Sequence, residues 1–229
     1  MREELIIAID GPAGSGKSTV AKLVAERLGF SYLDSGAIYR ALTLYFLRQG
    51  IAPEDARALE STLANITIRQ ESRAGKLRVY LNDEDVTREI RSPEVTAGVS
   101  GVASIPRIRE WVNEHLRGQV RGRSVVVEGR DIGSVVFPDA QLKIFMEASL
   151  EARSLRRFRE LQQSGHRADR EEIRKDIERR DRRDAERAHA PLKKAKDAVT
   201  LNTTDLTVEQ VVDIVVNKAR EVLDLRTIA

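Results

Sequence analysis

The sequence predicts an α/β fold in which a five-stranded parallel sheet carries helices on both faces. Five short apolar segments alternate with helical patterns along the chain, which is typical of a parallel sheet buried on both sides. The first of these segments, residues 5–9, leads through a glycine-rich turn into a helical pattern over residues 19–28. Because ligands bind where such strands end, we expect the functional residues at the carboxyl edge of the sheet.

The composition favours a single domain over residues 1–229. Charged residues make up 33% of the chain but leave a net charge of only +3, which describes a surface of mixed ion pairs rather than a nucleic-acid-binding polycation. The chain has no cysteine, which excludes disulfides and thiolate metal sites. We find neither a secretory signal nor an apolar run of membrane-spanning length. We therefore expect a cytoplasmic protein that binds neither membranes nor nucleic acid.

The remaining elements follow from periodicity and from helix start and stop signals. Apolar runs predict the other four strands at residues 30–33, 124–127, 142–146 and 198–201. Helical patterns cover residues 37–48, a short segment opened by Pro53, residues 105–122, a charged region over 150–188 interrupted near Gly165, and residues 207–223. Thr207 and Gln210 fit a capping box at the start of the last helix.

One region departs from the alternation of strands and helices. Residues 66–68 and 77–81 alternate between apolar and polar side chains, which indicates half-exposed antiparallel strands. The pairs Ala74-Gly75 and Asn82-Asp83 supply turns beside them. Residues 63–101 are therefore predicted to form a small subdomain inserted into the α/β framework.

The turn after the first strand is a complete phosphate-binding motif. Its strand–turn–helix context turns the pattern G-x-x-x-x-G-K-[ST] into a specific prediction of nucleotide binding. Lys17 would reach the outer phosphates, and the Ser18 hydroxyl would ligate Mg²⁺. A plain glycine-rich helix cap would explain Gly11 and Gly16, but not Gly16, Lys17 and Ser18 together. The predicted ATP-binding residues are Gly11, Pro12, Ala13, Gly14, Ser15, Gly16, Lys17, Ser18 and Thr19.

Two charged clusters at other strand ends predict a second phosphorylated ligand. Asp34 ends the second strand with Arg40 in the following helix, and Glu128, Arg130 and Asp131 end a third. Arginine forks bind phosphate bidentately, and carboxylates hold a hydrated metal or accept hydrogen bonds from a base or sugar. The alternative is that Arg40 and Arg130 are structural ion pairs with Asp34 and Asp131.

The charged helical region offers a third group of candidates. Arg180, Asp184 and Arg187 are spaced by four and three residues, so they share one helical face. An arginine-bearing lid over about residues 155–187 would exclude water and neutralise charge during phosphoryl transfer. The alternative is a solvated face of ion pairs, which is the simpler interpretation for most of this region.

Taken together, these motifs resemble those of bacterial cytidylate kinases. The residues that carry the resemblance are Gly11-Pro-Ala-Gly-Ser-Gly-Lys-Ser-Thr19, Leu33-Asp-Ser-Gly-Ala-Ile-Tyr-Arg40, Glu128-Gly-Arg-Asp-Ile-Gly133, Val136-Phe-Pro-Asp139, and Arg180-Asp181 with Arg187-Ala-His-Ala-Pro191. The likeness covers essentially the whole chain. It implies phosphoryl transfer from MgATP to CMP or dCMP in pyrimidine nucleotide metabolism, by a monomer with a core, a monophosphate-binding insert and a short lid.

The resemblance also implies roles for particular residues. Ser35, Arg109 and Asp131 would read the cytosine edge; Ser100, Arg180 and Asp184 would hold the sugar; and Arg40, Arg130 and Arg187 would hold the acceptor phosphate. Lys17 would stabilise the transferring group together with lid arginines, either Arg156 or Arg157. Asp34 is the candidate for orienting water on the metal, with Glu128 as the other carboxylate. The implied catalytic residues are thus Lys17, Arg130, Arg187 and Asp34.

Three other functions stay open at this point. A kinase of another nucleoside monophosphate would share the phosphate loop, but the Asp34 and Glu128 motifs argue against it. A transferase that prenylates tRNA shares the loop and an Asp-Ser…Tyr-Arg motif, but such proteins are longer. A non-catalytic nucleotide-binding regulator would not need Lys17, Ser18, Arg130 and Arg187 together.

Overall fold

A computed structural model describes residues 4–73, 76–163, 165, 168–187 and 189–228. Within these residues the strands are β1 (Ile6–Asp10), β2 (Ser31–Asp34), β3 (Ile68–Arg73), β4 (Lys76–Leu81), β5 (Glu84–Asp85), β6 (Val125–Gly129), β7 (Leu142–Glu147) and β8 (Val199–Asn202). The helices are α1 (Lys17–Leu28), α2 (Ser35–Gln49), α3 (Ala56–Asn65), α4 (Pro93–Val102), α5 (Pro106–Gln119), α6 (Leu150–Gln163), α7 (Arg170–Glu186) and α8 (Val208–Ile228). A 3₁₀ turn covers Glu89–Arg91, and a π-helical turn covers Ile132–Val136.

The predicted five-stranded parallel sheet is confirmed. Its order is β2-β6-β1-β7-β8, and every neighbouring pair is parallel. The central strand β1 is flanked by β6 on one side and β7 on the other, so the chain changes direction across the sheet at this point. Crevices at such a switch point are where ligands bind in open α/β sheets.

The core is aliphatic, as an aromatic content of only 4% requires. Ile7 and Ile9 of β1, Val126 of β6 and Ile144 of β7 are essentially inaccessible to solvent. Helices cover both faces of these strands, so all four side chains leave water. Burying each of them contributes roughly 1.5–3 kcal/mol.

A second sheet of three antiparallel strands, β3-β4-β5, lies within the segment predicted as an insert. Gln70 of β3 ties this sheet to β2: the Asp34 backbone N–H donates to Gln70 Oε1 at 2.9 Å, and Gln70 Nε2 donates to the Asp34 carbonyl at 2.8 Å. The predicted turn at residues 74–75 lies outside the described residues. Asn82 and Asp83 do form the second turn, both with positive φ.

Several boundaries differ from the sequence prediction. The helix after Pro53 begins at Ala56, because the Asp55 carboxylate accepts from the backbone N–H of Arg57 and Ala58 and so caps α3. Ile66 ends that helix, and β3 therefore starts at Ile68 rather than at residue 66.

Helix α4 was not predicted from the sequence. Ser92 caps it and Pro93 opens it, but its valines, threonine and glycines have low helix propensity. Packing explains the helix: α4 lies against α2, and a Cβ at Gly98 would stand 3.1 Å from the Thr43 side chain.

The charged region forms two helices, as predicted. α6 and α7 are separated at Gly165, whose φ of 77° is readily adopted only by glycine. Residues 164, 166 and 167 of the predicted lid lie outside the described residues. The capping box at α8 is confirmed, because Thr207 and Gln210 exchange side chain to backbone hydrogen bonds. Among the described helices, none combines the length and apolar character that crossing a membrane requires.

Candidate active site

The phosphate loop joins β1 to α1, and the residues predicted to bind ATP lie in this loop and in the first turn of α1. Gly16 precedes α1 with a φ of 90°, which opens the helix N-terminus towards a ligand. At Gly11 a Cβ would lie 2.1 Å from the Met146 carbonyl oxygen, so only glycine lets the loop pass this close to β7. The backbone path around the predicted phosphate site therefore depends on these two glycines.

Lys17 is buried at the start of α1. Its Nζ donates to the Pro12 carbonyl at 2.7 Å and to Ser15 Oγ at 3.3 Å. Burial lowers the pKa of Lys17, and the positive charge of Arg130 lowers it further, while Glu128 and Asp10 oppose this shift. A ligand with negative charge at this position would stabilise the charged ammonium.

Oxygen side chains gather beside Lys17. Asp34 and Glu128 occupy paired positions on β2 and β6, and Ser18 hydrogen-bonds to Glu128. Tyr32 also donates to Glu128 Oε1, at 2.5 Å. Burial raises the pKa of Glu128, and the neighbouring charge of Asp34 raises it further.

The side-chain oxygens of Ser18, Asp34 and Glu128 suit a magnesium ion. Mg²⁺ prefers oxygen ligands and is usually held by one or two protein groups together with substrate phosphates and water. Two neighbouring carboxylates, one of them buried, repel each other until a cation lies near them. Among the described residues there is no cluster of three or more His, Asp or Glu side chains that could enclose a metal alone. This arrangement therefore suits a magnesium site in which nucleotide phosphates would supply the remaining oxygen ligands.

Arg40, Arg130 and Arg180 come together at the carboxyl edge of the sheet. Arg187, which was predicted to join Arg40 and Arg130 at the acceptor phosphate, lies instead in a second cluster beside Asp131. Arg40 Nη1 donates to Thr96 Oγ1 at 2.9 Å and to the Ile90 carbonyl at 3.3 Å, both in the inserted segment. Arg130 Nε donates to Asp184 Oδ2 at 2.9 Å. The alternative pairing of Arg40 with Asp34 and of Arg130 with Asp131 is therefore wrong. The fold supplies nearer partners on distant elements.

This cluster has excess positive charge. Burial lowers the pKa of Arg40 to about 10, and the neighbouring Arg180 contributes to that shift. Burial also lowers the pKa of Arg180, and Arg130 lowers it further. Arg180 Nε is buried and has no hydrogen-bond partner among the residues that the structure describes. Buried donors are normally satisfied, so an anionic ligand is the natural partner for this group.

A second cluster contains residues that are implied to read the base. Arg109 of α5 is buried and donates to the Asp131 carboxylate, and Arg109 Nη1 donates to the Ala103 carbonyl at 3.1 Å. Arg187 Nη2 lies 3.7 Å from Asp131 Oδ1 and forms no hydrogen bond with any described part of the chain. Burial lowers the pKa of Arg187, and nearby Arg109 adds to this effect. The Asp131 carboxylate is thus close to the guanidinium groups of both Arg109 and Arg187, in a buried region of low dielectric constant.

The remaining predicted residues lie at the edges of these clusters. Ser35 is buried, and its hydroxyl donates to the Glu128 carbonyl at 2.8 Å. Ser100 is half-buried on α4, a helix that contacts α7. Arg156 donates to Thr203, whereas Arg157 is paired with Glu160 at 2.8 Å.

A cleft of about 1160 Å³ runs between the phosphate loop, the insert and the charged helices. Among its lining residues are Lys17, Arg40, Arg130, Arg156 and Arg180. Arg109 and Asp131 are buried beside this cleft rather than lining it. The volume exceeds what one small ligand needs, and it suits two nucleotides bound end to end.

Sequence reasoning missed several residues of this site. Asp10 accepts from the backbone N–H of Ile132 and Gly133, both at 2.8 Å, and so holds the π-helical turn that follows Asp131. Burial raises the pKa of Asp10 to about 6. Tyr39 has a buried hydroxyl for which the described residues offer no hydrogen-bond partner, and its ring lies 5.7 Å from the Arg109 guanidinium carbon. Tyr39 lies inside the motif over residues 33–40 and Asp10 directly precedes the phosphate loop, but no spacing rule distinguishes their roles.

Fold and site together define an enzyme of the phosphate-loop kinase class, in which arginines and the phosphate loop line one cleft. The family model for cytidylate kinase matches residues 7–221. A cytidylate kinase from Geobacillus sp. is 48% identical over 96% of this chain and 99% of its own length. One from Streptococcus suis is 46% identical over 95% and 97%. This chain belongs to the cytidylate kinase family.

A solved structure extends the comparison of folds. An uncharacterized protein from Eubacterium ventriosum matches 94% of this chain and 98% of its own with a TM-score of 0.50. The two sequences are 15% identical, so the likeness concerns the fold alone.

Proposed function

We propose that this protein transfers the γ-phosphoryl group of ATP to CMP or dCMP, giving ADP and CDP or dCDP. The observation that carries the proposal is a pair of buried donors, Arg180 Nε near Arg130 and Arg187 Nη2 near Asp131, for which the described residues offer no hydrogen-bond partner. They belong to two clusters that fit the two ends of a nucleoside monophosphate. The arginines suit its phosphate, and the Arg109–Asp131 pair suits a base with an amine beside a ring nitrogen.

Specificity for cytosine follows from the chemistry of Asp131 and Arg109. A carboxylate accepts a hydrogen bond from the exocyclic amine of cytosine, and a guanidinium donates to the ring nitrogen and carbonyl. Uracil presents a carbonyl where cytosine has its amine, so Asp131 would face an acceptor. We assign Ser35 to the same edge, and Ser100, Arg180 and Asp184 to the sugar.

Catalysis in this proposal depends on positioning and on charge neutralisation. An oxygen of the CMP phosphate attacks the γ-phosphorus of ATP in line, and the bond to the β,γ-bridging oxygen breaks as ADP leaves. Because the acceptor phosphate is already an anion, no strong base is required. We assign Arg40, Arg130 and Arg187 to the acceptor phosphate, and Lys17 with Arg157 or Arg156 to the transferring group.

We assign Ser18 to magnesium, with Asp34 or Glu128 acting through water. A magnesium ion held there would neutralise the negative charge that develops on the transferring phosphoryl group. Asp34 Oδ1 accepts from the Ala37 backbone N–H at 3.0 Å and thereby caps α2, which fixes the carboxylate at the strand end.

We further propose that the protein acts as a monomer in the cytoplasm, within pyrimidine nucleotide metabolism. Leu47 and Val208 are the large apolar side chains most exposed among the described residues, and they lie on different helices. Isolated apolar residues of this kind do not form the patch that a stable dimer buries. ATP and CMP are both intracellular metabolites, which supports the location.

A panel of acceptors tests the reaction. ADP release from MgATP should be rapid with CMP and dCMP, slow with UMP, and negligible with AMP, GMP and dTMP. Rapid turnover of another monophosphate would reject the specificity assigned to Arg109 and Asp131. Absence of turnover with every acceptor would reject the kinase reaction itself.

Asp131→Asn tests the base assignment. The amide keeps the volume of the carboxylate but offers a donor as well as an acceptor, so the ratio of kcat/KM for CMP to that for UMP should fall roughly tenfold to a hundredfold. Steady-state kinetics with both acceptors measures this ratio. Asp139→Asn, at an exposed position, is the control. An unchanged ratio in Asp131→Asn would remove Asp131 from the base site.

A further inference from the structure

Ala13, in the phosphate loop, is held through both polar groups of its backbone by two charged side chains, one from α6 and one from α7. Its N–H donates to Asp181 Oδ1 at 3.2 Å, and its carbonyl accepts from Arg153 Nη1 at 3.1 Å. Arg153 Nη1 also donates to the Asp181 carboxylate, which closes the arrangement into a ring. We call Arg153 and Asp181 the Ala13 clamp.

One half of the clamp is fixed against the loop. Arg153 is buried in the first turns of α6, and its Nε donates to the Ala148 carbonyl at 3.0 Å. A Cβ at Gly14 would stand 3.2 Å from Arg153 Cβ and also from its backbone oxygen, so α6 packs directly on the loop at a glycine with a φ of 75°. Arg153 therefore moves with the phosphate loop.

The other half belongs to the helix that carries acceptor residues. Asp181 lies on α7 immediately after Arg180 and three residues before Asp184. Asp184 is paired with Arg130 at the end of β6, and Arg180 belongs to the cluster of arginines assigned to the acceptor. A shift of α7 that reorients these residues would also displace the Asp181 carboxylate from Ala13.

We propose that Asp181 and Arg153 are positioning residues that couple the donor and acceptor sites, so that binding of either nucleotide favours binding of the other. This inference rests on the proposed function, since it assumes ATP at the loop and CMP at the arginine cluster. When CMP binds and holds α7 in place, Asp181 accepts the hydrogen bond from the Ala13 N–H and so fixes the shape of the phosphate loop. Thermodynamic linkage requires the reverse effect to be equal in free energy. ATP bound at the phosphate loop therefore stabilises the same position of α7 and favours CMP binding.

The test is the affinity for CMP with and without the donor. Titration calorimetry would measure the Kd of CMP alone and with a saturating magnesium complex of a β,γ-methylene ATP analogue, which cannot transfer its phosphoryl group. In the unaltered protein, the Kd of CMP alone should exceed the Kd measured with the analogue by roughly fivefold or more. In Asp181→Ala the ratio of the two constants should fall to within about twofold of unity. A role confined to folding would not change this ratio.

Two further variants make the result specific. Asp176→Ala removes an exposed carboxylate of the same helix, which is paired with Arg179 three residues later, and should leave the ratio unchanged. Arg153→Lys keeps the charge but loses the Nε–H that donates to the Ala148 carbonyl and so orients Nη1 towards Ala13 and Asp181. This variant should lower the ratio. If Asp181→Ala does not fold, as judged by circular dichroism, Asp181→Asn preserves the volume while placing an amide N–H₂ towards Arg153.

Several outcomes would overturn the proposal. A ratio of one in the unaltered protein, or an unchanged ratio in the Asp181 variant, would show that the clamp does not couple the sites. Tighter binding of the ATP analogue by Asp181→Ala with an unchanged ratio would show that the carboxylate competes with phosphate instead. Failure of the unaltered protein to bind CMP at all would instead contradict the proposed function, and would be seen before any variant is tested.

Discussion

Replacing Lys17 with methionine is expected to lower kcat for phosphoryl transfer by about a thousandfold, because preorganised charge at the transferring group is commonly the largest catalytic contribution. Methionine keeps a long flexible side chain and removes only the ammonium. Lys17 is buried beside Glu128 and Arg130, so no solvent-exposed cation can replace it without rearrangement. Single-turnover measurements at saturating MgATP and CMP would report the chemical step directly.

The structure allows a clear control for the Lys17 variant. Lys196→Met removes an exposed lysine from the segment between α7 and β8, where the side chain does not line the cleft. That variant should keep normal kcat and normal stability. Loss of less than about tenfold in Lys17→Met would show that the lysine is not responsible for charge neutralisation during transfer.

Arg187→Ala is the second change for which we expect a large effect. It should lower kcat/KM for CMP by several hundredfold while leaving ATP affinity nearly intact, because a buried charge clamp of this kind contributes roughly 3–4 kcal/mol. The Arg187 side chain is only 10% exposed and contacts Asp131, and its buried Nη2 has no hydrogen-bond partner within the described ranges. Its Nε donates to the Ala190 carbonyl at 2.5 Å, which orients the guanidinium.

Arg183→Ala provides the matched control. Arg183 lies four residues earlier, within α7, and is exposed. Arg187 itself follows the end of α7 with extended backbone, so it does not share a helical face with Arg180 and Asp184 as the spacing predicted. Removal of the Arg183 side chain should change kcat/KM for CMP by less than about twofold, as is typical of exposed charges. Near-normal CMP kinetics in Arg187→Ala, or equal losses for ATP and CMP, would remove Arg187 from the acceptor site.

Much of the fold could be predicted because it depends on local patterns. Apolar runs of four to six residues indicate buried strands wherever they occur, and Gly16, Lys17 and Ser18 have a function only in the turn between such a strand and a helix. Helix α4 shows where this reasoning fails. Its weak helical sequence is stabilised by packing of Gly98 against Thr43, a contact that no local pattern records.

Some features of the candidate site could likewise be predicted from local sequence, and others depend on the tertiary structure. Sequence by itself determined the phosphate loop, the strand ends that carry Asp34 and Glu128, and membership of a kinase family, because each depends on residues close together in the chain. Only the tertiary structure decided the partners of the charged side chains. Asp181 and Ala13 are 168 residues apart, and Arg130 and Asp184 are 54 apart. An arginine on a charged helix pairs with whichever carboxylate the fold brings near it, and burial then determines whether that charge acts on a ligand or only on solvent.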